Sequence, residues 1–136
     1  MTMAVEELEA ILAAHAEWLR DSKKGKRADF TYCNLQGLDL SGRDLRKALL
    51  GWGNYSYTNF SGTDLSGADI SFSDCYNANF AGSIMNGVNA ESSNFIGACM
   101  ARASMQNANV YLASFEGANL AGINWGGTDK RKAYGV

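Results

Sequence analysis

The sequence predicts an all-β solenoid, a rod of short coils stacked on one another, preceded by one α-helix. The main observation is that every fifth residue from Phe30 to Trp125 is apolar, twenty positions without an interruption. Neither an α-helix, with a period of 3.6, nor a β-strand, with a period of 2, keeps residues five apart on one side. A period this short is typical of a solenoid whose successive turns bury a continuous core.

The positions around each central apolar residue follow the same period. Two residues before the centre, sixteen of twenty residues are Ala, Cys, Gly, Ser or Thr, and one residue before it fifteen of twenty are Asp or Asn. Two residues after the centre, ten of twenty are Gly. A small and a large inward side chain separated by one polar residue fit a short extended segment. The residues that follow favour a turn.

Three blocks show this pattern most clearly: Ala68-Asp69-Ile70-Ser71, Ala78-Asn79-Phe80-Ala81-Gly82 and Ala118-Asn119-Leu120-Ala121-Gly122. Residues 28–127 therefore resemble the pentapeptide-repeat family, A(D/N)LXX. The resemblance implies a right-handed quadrilateral β-helix of about five coils, each with four sides and twenty residues. Coils about 4.8 Å apart would make a rod of roughly 24 Å.

With twenty residues per coil, the central residues are expected to stack in four columns, one for each side of the rod. The columns are Phe30/Leu50/Ile70/Ala90/Val110, Leu35/Tyr55/Cys75/Phe95/Phe115, Leu40/Phe60/Phe80/Met100/Leu120 and Leu45/Leu65/Met85/Met105/Trp125. Val88 stands where a small residue is usual, and we interpret it as compensation for the short Ala90 in the same coil.

Residues 1–27 are predicted to contain a capping helix, over 3–20, and a basic linker. Apolar residues at helical spacing mark one side of the helix: Val5, Leu8, Ile11, Leu12 and Leu19. Thr2 is the candidate N-cap, and acids early and bases late suit the helix dipole. We expect the helix to cover Phe30 and Leu35, since a β-helix exposes unpaired backbone at its first coil. The alternative is a helix for a membrane surface or a partner, although few bases line its polar side.

The charged segments at the two ends of the repeat allow two interpretations each. Lys23-Lys24-Gly25-Lys26-Arg27 is interpreted as a solvated linker, with binding of phosphate or an acidic partner as the alternative. The short charged tail, 128–136, is expected to leave the last coil open, with Trp125 as a plug. An open edge would then be covered by a second subunit or by further chain.

Composition limits the function classes. The 136 residues carry a net charge of −2, which is unlike a nucleic-acid-binding protein. No signal peptide or membrane span is evident, so we expect a cytoplasmic protein without membrane contact. Cys33, Cys75 and Cys99 are an odd number at repeat positions, which indicates reduced thiols rather than disulfides.

No constellation of residues indicates catalysis. His15 is the only histidine, and a packed or capping role is expected for it. The cysteines lack metal-ligand spacing. The Asp column (Asp39, Asp44, Asp64, Asp69 and Asp74) is explained by turn and backbone hydrogen bonding. We therefore expect no enzyme activity, no metal, no cofactor and no small-molecule substrate.

A strip of exposed apolar side chains is the candidate interaction surface. The second residue after the centre is never Gly on the first side, where it is Tyr32, Trp52, Phe72, Ser92 and Leu112. Beside this ladder lie Leu49, Tyr57, Tyr76, Ile96 and Tyr111. A contiguous aromatic strip predicts an interface. The alternative is a ladder of aromatics that only stabilises adjacent coils.

Two functions follow from these observations. The first is a non-enzymatic protein-interaction or scaffold module, a rigid rod whose aromatic corner binds a protein partner or a second copy, without direct contact to nucleic acid. The second, implied by the family resemblance, is a DNA mimic that modulates a type II topoisomerase, of the gyrase-protecting type, and that dimerises at the C-terminal end. A duplex mimic needs regularly spaced carboxylates. Here acids become sparse after Asp74, and bases such as Arg43 and Arg102 interrupt the surface.

Overall fold

The computed structural model describes all residues, 1–136, as one helix followed by a continuous solenoid. Helix α1 spans Val5–Arg20. Beyond it, no strand is longer than one bridged residue, and every bridge is parallel and joins residues twenty apart. The bridges form four lines, through residues 29–49–69–89–109, 34–54–74–94–114–134, 39–59–79–99–119 and 44–64–84–104–124. Four lines repeated every twenty residues define a coil with four sides.

Backbone hydrogen bonds between coils have one fixed register. The N–H of a central residue donates to the carbonyl nineteen residues later, as from Leu50 to Asp69 at 2.6 Å. The N–H one residue before the centre donates to a carbonyl twenty-one residues earlier, as from Asp69 to Ala48 at 3.0 Å. Each coil is therefore bonded to the coil above and the coil below, and the backbone polar groups of the inner coils are largely satisfied.

Each side ends in a turn of left-handed backbone. The second residue after every centre has a positive φ, between 53° and 74°, whether it is one of the ten glycines or one of the ten other residues. All fifteen Asp and Asn residues before the centres accept a hydrogen bond from the N–H two residues later, at 2.9–3.3 Å. The interpretation of the Asp column as turn residues is thereby confirmed.

The predicted columns form the core. Eighteen of the twenty central residues are at most 1% exposed, and only Leu120 and Trp125 in the last coil are half-buried. Aromatic rings stack along the columns, with centroids 4.9 Å apart for Phe60 and Phe80 and 5.0 Å apart for Phe95 and Phe115. The stack spacing matches the distance between adjacent coils.

Side-chain volume is balanced between neighbouring inward positions in two coils of the core. A Cβ at Gly53 would lie 2.4 Å from the ring of the fully buried Tyr55, so the large ring requires a glycine two residues earlier. At Val88 and Ala90, which are both buried, the larger residue lies two positions before the centre and the small one lies at the centre. Close packing leaves room for one large side chain in each such pair, as the sequence predicted for Val88.

Helix α1 packs on the first coil through Leu8 and Leu12, which belong to the same hydrophobic cluster as Phe30 and Leu35. The predicted N-cap, Thr2, is wrong. Ala4 occupies the N-cap position and makes no side-chain hydrogen bond, so the helix begins two residues later than predicted. The residues before the helix contact the first coil instead, since the N–H of Met3 donates to the carbonyl of Asn34 at 2.8 Å.

His15 joins α1 to the backbone edge of the first coil. Its Nδ1 accepts from the N–H of Ala28 at 3.0 Å, and its Nε2 donates to the carbonyl of Arg46 at 3.0 Å. These bonds require the neutral ring with the proton on Nε2. Burial lowers the pKa of His15, which outweighs the opposite effect of the Arg46 carbonyl. The ring is fully buried and stacks on Trp18 at 5.6 Å.

The tail, 128–136, continues the solenoid instead of extending freely. Thr128, Asp129 and Lys130 take the positions of a further repeat, and Tyr134 bridges to Ser114. The N–H groups of Leu112 and Phe115 donate to the carbonyls of Lys132 and Tyr134, at 2.9 and 2.8 Å. The expectation of an open last coil therefore holds only for its third and fourth sides. The sequence pattern hid this repeat because its central residue is a lysine, exposed above the Trp125 ring at 5.2 Å.

Substitutions at neighbouring positions test the register of the repeat. Phe80→Ala should lower the free energy of unfolding by roughly 3–5 kcal/mol, because it removes a ring from a filled column. Ala81→Ser, one residue later at the surface, should change the free energy by less than about 0.5 kcal/mol. Denaturant unfolding measures both, and equal losses would contradict the register.

Acidification tests the contact of His15 with the first coil. The pKa of His15 is lowered from 6.5 in the folded protein, so below about pH 6.5 the unfolded chain binds more protons and unfolding is favoured. The free energy of unfolding should therefore be at its full value above this pH and should fall as the pH drops below it. His15→Gln does not titrate, and it should lose this part of the pH dependence in urea titrations. An unchanged slope would contradict the assignment.

Candidate functional site

The aromatic ladder predicted for the first side lies at the corner between the first and second sides, here named the first corner. Tyr32, Trp52 and Phe72 occupy it in successive coils with φ values of 62°, 59° and 55°. Their rings form one stack, with centroids 6.1 Å apart for Tyr32 and Trp52 and 4.5 Å apart for Trp52 and Phe72. The side chains nevertheless stay 74%, 53% and 40% exposed, respectively.

The stack ends where Ser92 follows Phe72. The next coil adds Tyr111 and Leu112 to the first corner, both exposed. The first corner thus presents three stacked rings in its N-terminal part and a separate apolar pair near the C-terminal end.

The remaining predicted residues lie on a different corner from the ladder. Tyr57, Tyr76 and Ile96 follow the centres of the second side and form the second corner. Tyr57 and Tyr76 meet edge to face with centroids 5.8 Å apart, and all three side chains are exposed. Leu49, considered beside the ladder, is half-buried on the first side. The predicted strip is therefore two apolar lines, one on each edge of the second side.

Charge is divided unequally between the sides of the rod. The first and second sides with their corners, residues 28–37, 48–57, 68–77, 88–97 and 108–117, carry five acids and no base, and are here named the acidic face. The acids are Asp29, Asp69, Asp74, Glu91 and Glu116. The third and fourth sides carry three acids and four bases: Asp39, Asp44, Asp64, Arg43, Arg46, Lys47 and Arg102. The two aromatic lines are thus both on the acidic face.

Tyr134 and Ile84 are exposed apolar residues that the sequence prediction missed. Tyr134, 53% exposed, extends the outer row of the second side beyond Ser114. The sequence feature that could have predicted it is Ala133, a small residue that continues the five-residue spacing of small residues past Trp125. Ile84 is exposed on the fourth side, where it replaces the usual Asp or Asn, away from both aromatic lines.

The titratable groups inside the rod are placed for packing. Burial raises the pKa of the Cys75 thiol well above its ordinary value, and burial raises the pKa of Cys33 as well. The buried Tyr55 hydroxyl donates to the carbonyl of Phe30 at 3.3 Å, and its pKa is also raised by burial. Nowhere do three or more His, Cys, Asp or Glu side chains converge on a point where a metal ion could be held. The length and hydropathy of α1 fall short of what a membrane-spanning helix needs.

Comparison with known proteins agrees with this architecture. A family model described as pentapeptide repeats matches in eight copies, over residues 26–46, 44–74 and 73–110. No curated protein matches the sequence.

Solved structures of other proteins contain the same fold. A pentapeptide repeat protein of the Arabidopsis thaliana thylakoid lumen is 25% identical, with a TM-score of 0.65 over 66% of this chain and 63% of that chain. This chain therefore spans less than two thirds of the length of the Arabidopsis protein. Rfr23 of the cyanobacterium Cyanothece 51142 is 27% identical, with a TM-score of 0.56 over 85% of this chain and 69% of that chain.

A more distant similarity is to QnrB1, a plasmid-mediated fluoroquinolone resistance protein, with 16% identity and a TM-score of 0.34 over 79% of this chain and 65% of that chain. At this TM-score the similarity carries no functional conclusion. The structural neighbours with higher scores share the right-handed quadrilateral β-helix.

Proposed function

This chain belongs to the pentapeptide-repeat family, and from that premise we propose that it is a non-enzymatic interaction module that binds a protein partner or a second copy through the first and second corners. The observation that carries the proposal is the row of exposed aromatic side chains held in left-handed backbone at Tyr32, Trp52 and Phe72. At ten other turns of the repeat, glycine forms the same backbone without a side chain.

The left-handed backbone of these residues carries a cost that a covering partner would help to offset. A non-glycine residue in left-handed backbone costs roughly 1–2 kcal/mol, and a bulky residue there is an outlier. Four bulky residues of the first corner bear this cost: Tyr32, Trp52, Phe72 and Leu112. Two ring pairs contribute only about 0.5–1.5 kcal/mol each beyond area burial. The ring geometry and the area that the rings already bury on each other offset part of this strain, and covering the area that is still exposed would add about 25 cal/mol per Å².

The charge distribution offers little support for a DNA mimic. A B-form duplex carries one charge per about 1.7 Å of its axis, which corresponds to about fourteen charges along a rod of about 24 Å. The acidic face carries five carboxylates over its whole length. An interaction governed by aromatic anchors fits this surface better than one governed by phosphate-like charge.

The remaining parts of the chain have supporting roles in this proposal. The repeat forms about five coils as a rigid rod, and α1 acts as a cap that prevents pairing at the first coil. Its bonds to the coil edge, through Met3 and His15, take the place of a preceding coil. Free thiols at all three cysteines are consistent with a cytoplasmic location.

Removal of two rings tests the proposed interface. Trp52→Ser with Phe72→Ser should abolish capture of the partner from a lysate of the source cells, or dissociate a homodimer in sedimentation experiments, since aromatic anchors dominate interface energies. Serine suits this backbone because Ser92 occupies it in the same column. The circular-dichroism spectrum at room temperature should persist, with a loss of about 1–3 kcal/mol from the two ring pairs.

The matched control is Lys47→Ser with Arg102→Ser, which alters two exposed left-handed residues on other corners. It should leave capture and oligomeric state unchanged. If the aromatic variant unfolds at room temperature, or if both variants associate like the natural protein, the interface proposal is wrong.

Deletion of residues 1–20 tests the capping role of α1. The deletion exposes Phe30, Leu35 and the unpaired backbone edge of the first coil, so light scattering should detect larger oligomers or aggregates. A deletion variant that stays soluble in the original oligomeric state would show that α1 is not a cap.

A further inference from the structure

We infer that the partner of the acidic face presents an arginine-bearing segment, and that one guanidinium pairs with Asp74 between the exposed rings of Phe72 and Tyr76. This inference rests on the proposed function and adds the chemistry of the partner. Asp74 is exposed on the outer row of the second side, with the first corner two residues before it and the second corner two residues after it. The three side chains belong to one coil.

The repeat itself contains the template for this pairing. At Asp44 the carboxylate accepts from the Arg46 side chain in two places, from Nε to Oδ1 at 2.9 Å and from Nη2 to Oδ2 at 2.7 Å. At Asp129 the same two bonds come from Arg131, at 3.0 and 2.7 Å. In both cases the aspartate still accepts the turn N–H on Oδ1. An aspartate before the centre can therefore hold the turn and a guanidinium together.

In the five coils of the acidic face, no arginine of the chain occupies this position, and Arg131 occupies it only in the tail repeat beyond them. The residues two after Asp29, Asp69 and Asp74 are Thr31, Ser71 and Tyr76. Asp74 uses Oδ1 for the N–H of Tyr76 at 3.1 Å and for the Asn94 amide at 3.2 Å, while its Oδ2 accepts no hydrogen bond within the chain. The five coils of this face hold no base, and the bases of the tail, Lys130, Arg131 and Lys132, follow only after Glu116, so the charge that complements Asp74 comes from outside the chain.

The flanking rings favour arginine over lysine. A guanidinium is planar, stacks on aromatic faces and binds a carboxylate through two parallel hydrogen bonds, whereas an ammonium is a compact and strongly hydrated charge. Phe72 and Tyr76 are each 40% exposed, so each ring has surface left to cover. The same chain already holds a guanidinium over an aromatic ring where Arg27 lies 5.6 Å from Trp18.

The test is fluorescence anisotropy with three labelled peptides of one length, in which four arginines, four lysines or four citrullines are spaced by Gly-Ser. Citrulline keeps the shape of arginine without its charge. We expect saturable binding of the arginine peptide to the whole protein, weaker binding of the lysine peptide by about threefold or more, and none of the citrulline peptide. Asp74→Asn should weaken arginine binding about tenfold, the scale of one lost charge-assisted pair.

Asparagine preserves the turn in this variant, because Asn54 and Asn94 make the same bond in the coils on either side. The matched control is Asp64→Asn on the fourth side, where the carboxylate accepts the same kind of turn N–H, from Ser66 at 3.0 Å. It should change arginine binding less than about twofold.

Equal effects of the two substitutions, equal affinity for the arginine and lysine peptides, or no saturable binding up to about 1 mM would each overturn the inference. These outcomes are distinct from failure of the interface itself. If Trp52→Ser with Phe72→Ser still abolishes partner capture, the proposed function stands while the arginine assignment falls.

Discussion

The whole rod depends on a left-handed residue at every fifth position. That residue turns the chain through a corner within two residues, which lets the next centre point inward and its N–H meet a carbonyl nineteen residues later. The aspartate or asparagine three residues earlier stabilises the same corner by accepting a backbone N–H, as Asn79 does from Ala81 at 2.9 Å. Core, corner and ladder are therefore consequences of one repeated backbone geometry.

The strict demand on the backbone leaves the side chains at the corners free to differ. Ten corners use glycine and ten use other residues, without a change in φ beyond the common range of 53°–74°. A bulky residue at one corner leans over the same corner of the next coil: a Cβ at Gly97 would lie 2.1 Å from Oδ1 of Asn77. Side chains in one corner thus form lines along the rod, and such a line on the first corner becomes a stack of aromatic rings.

Most of the fold could be predicted from the sequence because each repeat encodes its own geometry. The columns, the turn role of Asp and Asn, and the buried pair Val88 and Ala90 all follow from spacing alone. The helix start was predicted too early because Thr2 resembles an N-cap, whereas the real contact there is the backbone N–H of Met3. The tail repeat escaped detection because Lys130, at its centre, is not apolar.

The aromatic residues of the candidate site could be found by spacing, but their division between two corners depends on the number of residues in a side. The partner that covers these aromatic residues is a second molecule, and the sequence of one chain reveals only the chemistry of the surface that the partner meets.

The twenty-residue register also governs how such a chain can change length. Inserting or deleting twenty residues adds or removes one whole coil and leaves every downstream residue on its own side. A change of five residues keeps all centres inward and the core intact, yet it rotates everything downstream by a quarter turn. Between Trp52 and Phe72, such a change would carry Phe72 to a different corner from Trp52 and end their stack. An insertion of five residues in this chain therefore still gives a folded rod. Only insertions of twenty residues, or multiples of twenty, also preserve the arrangement of its surfaces.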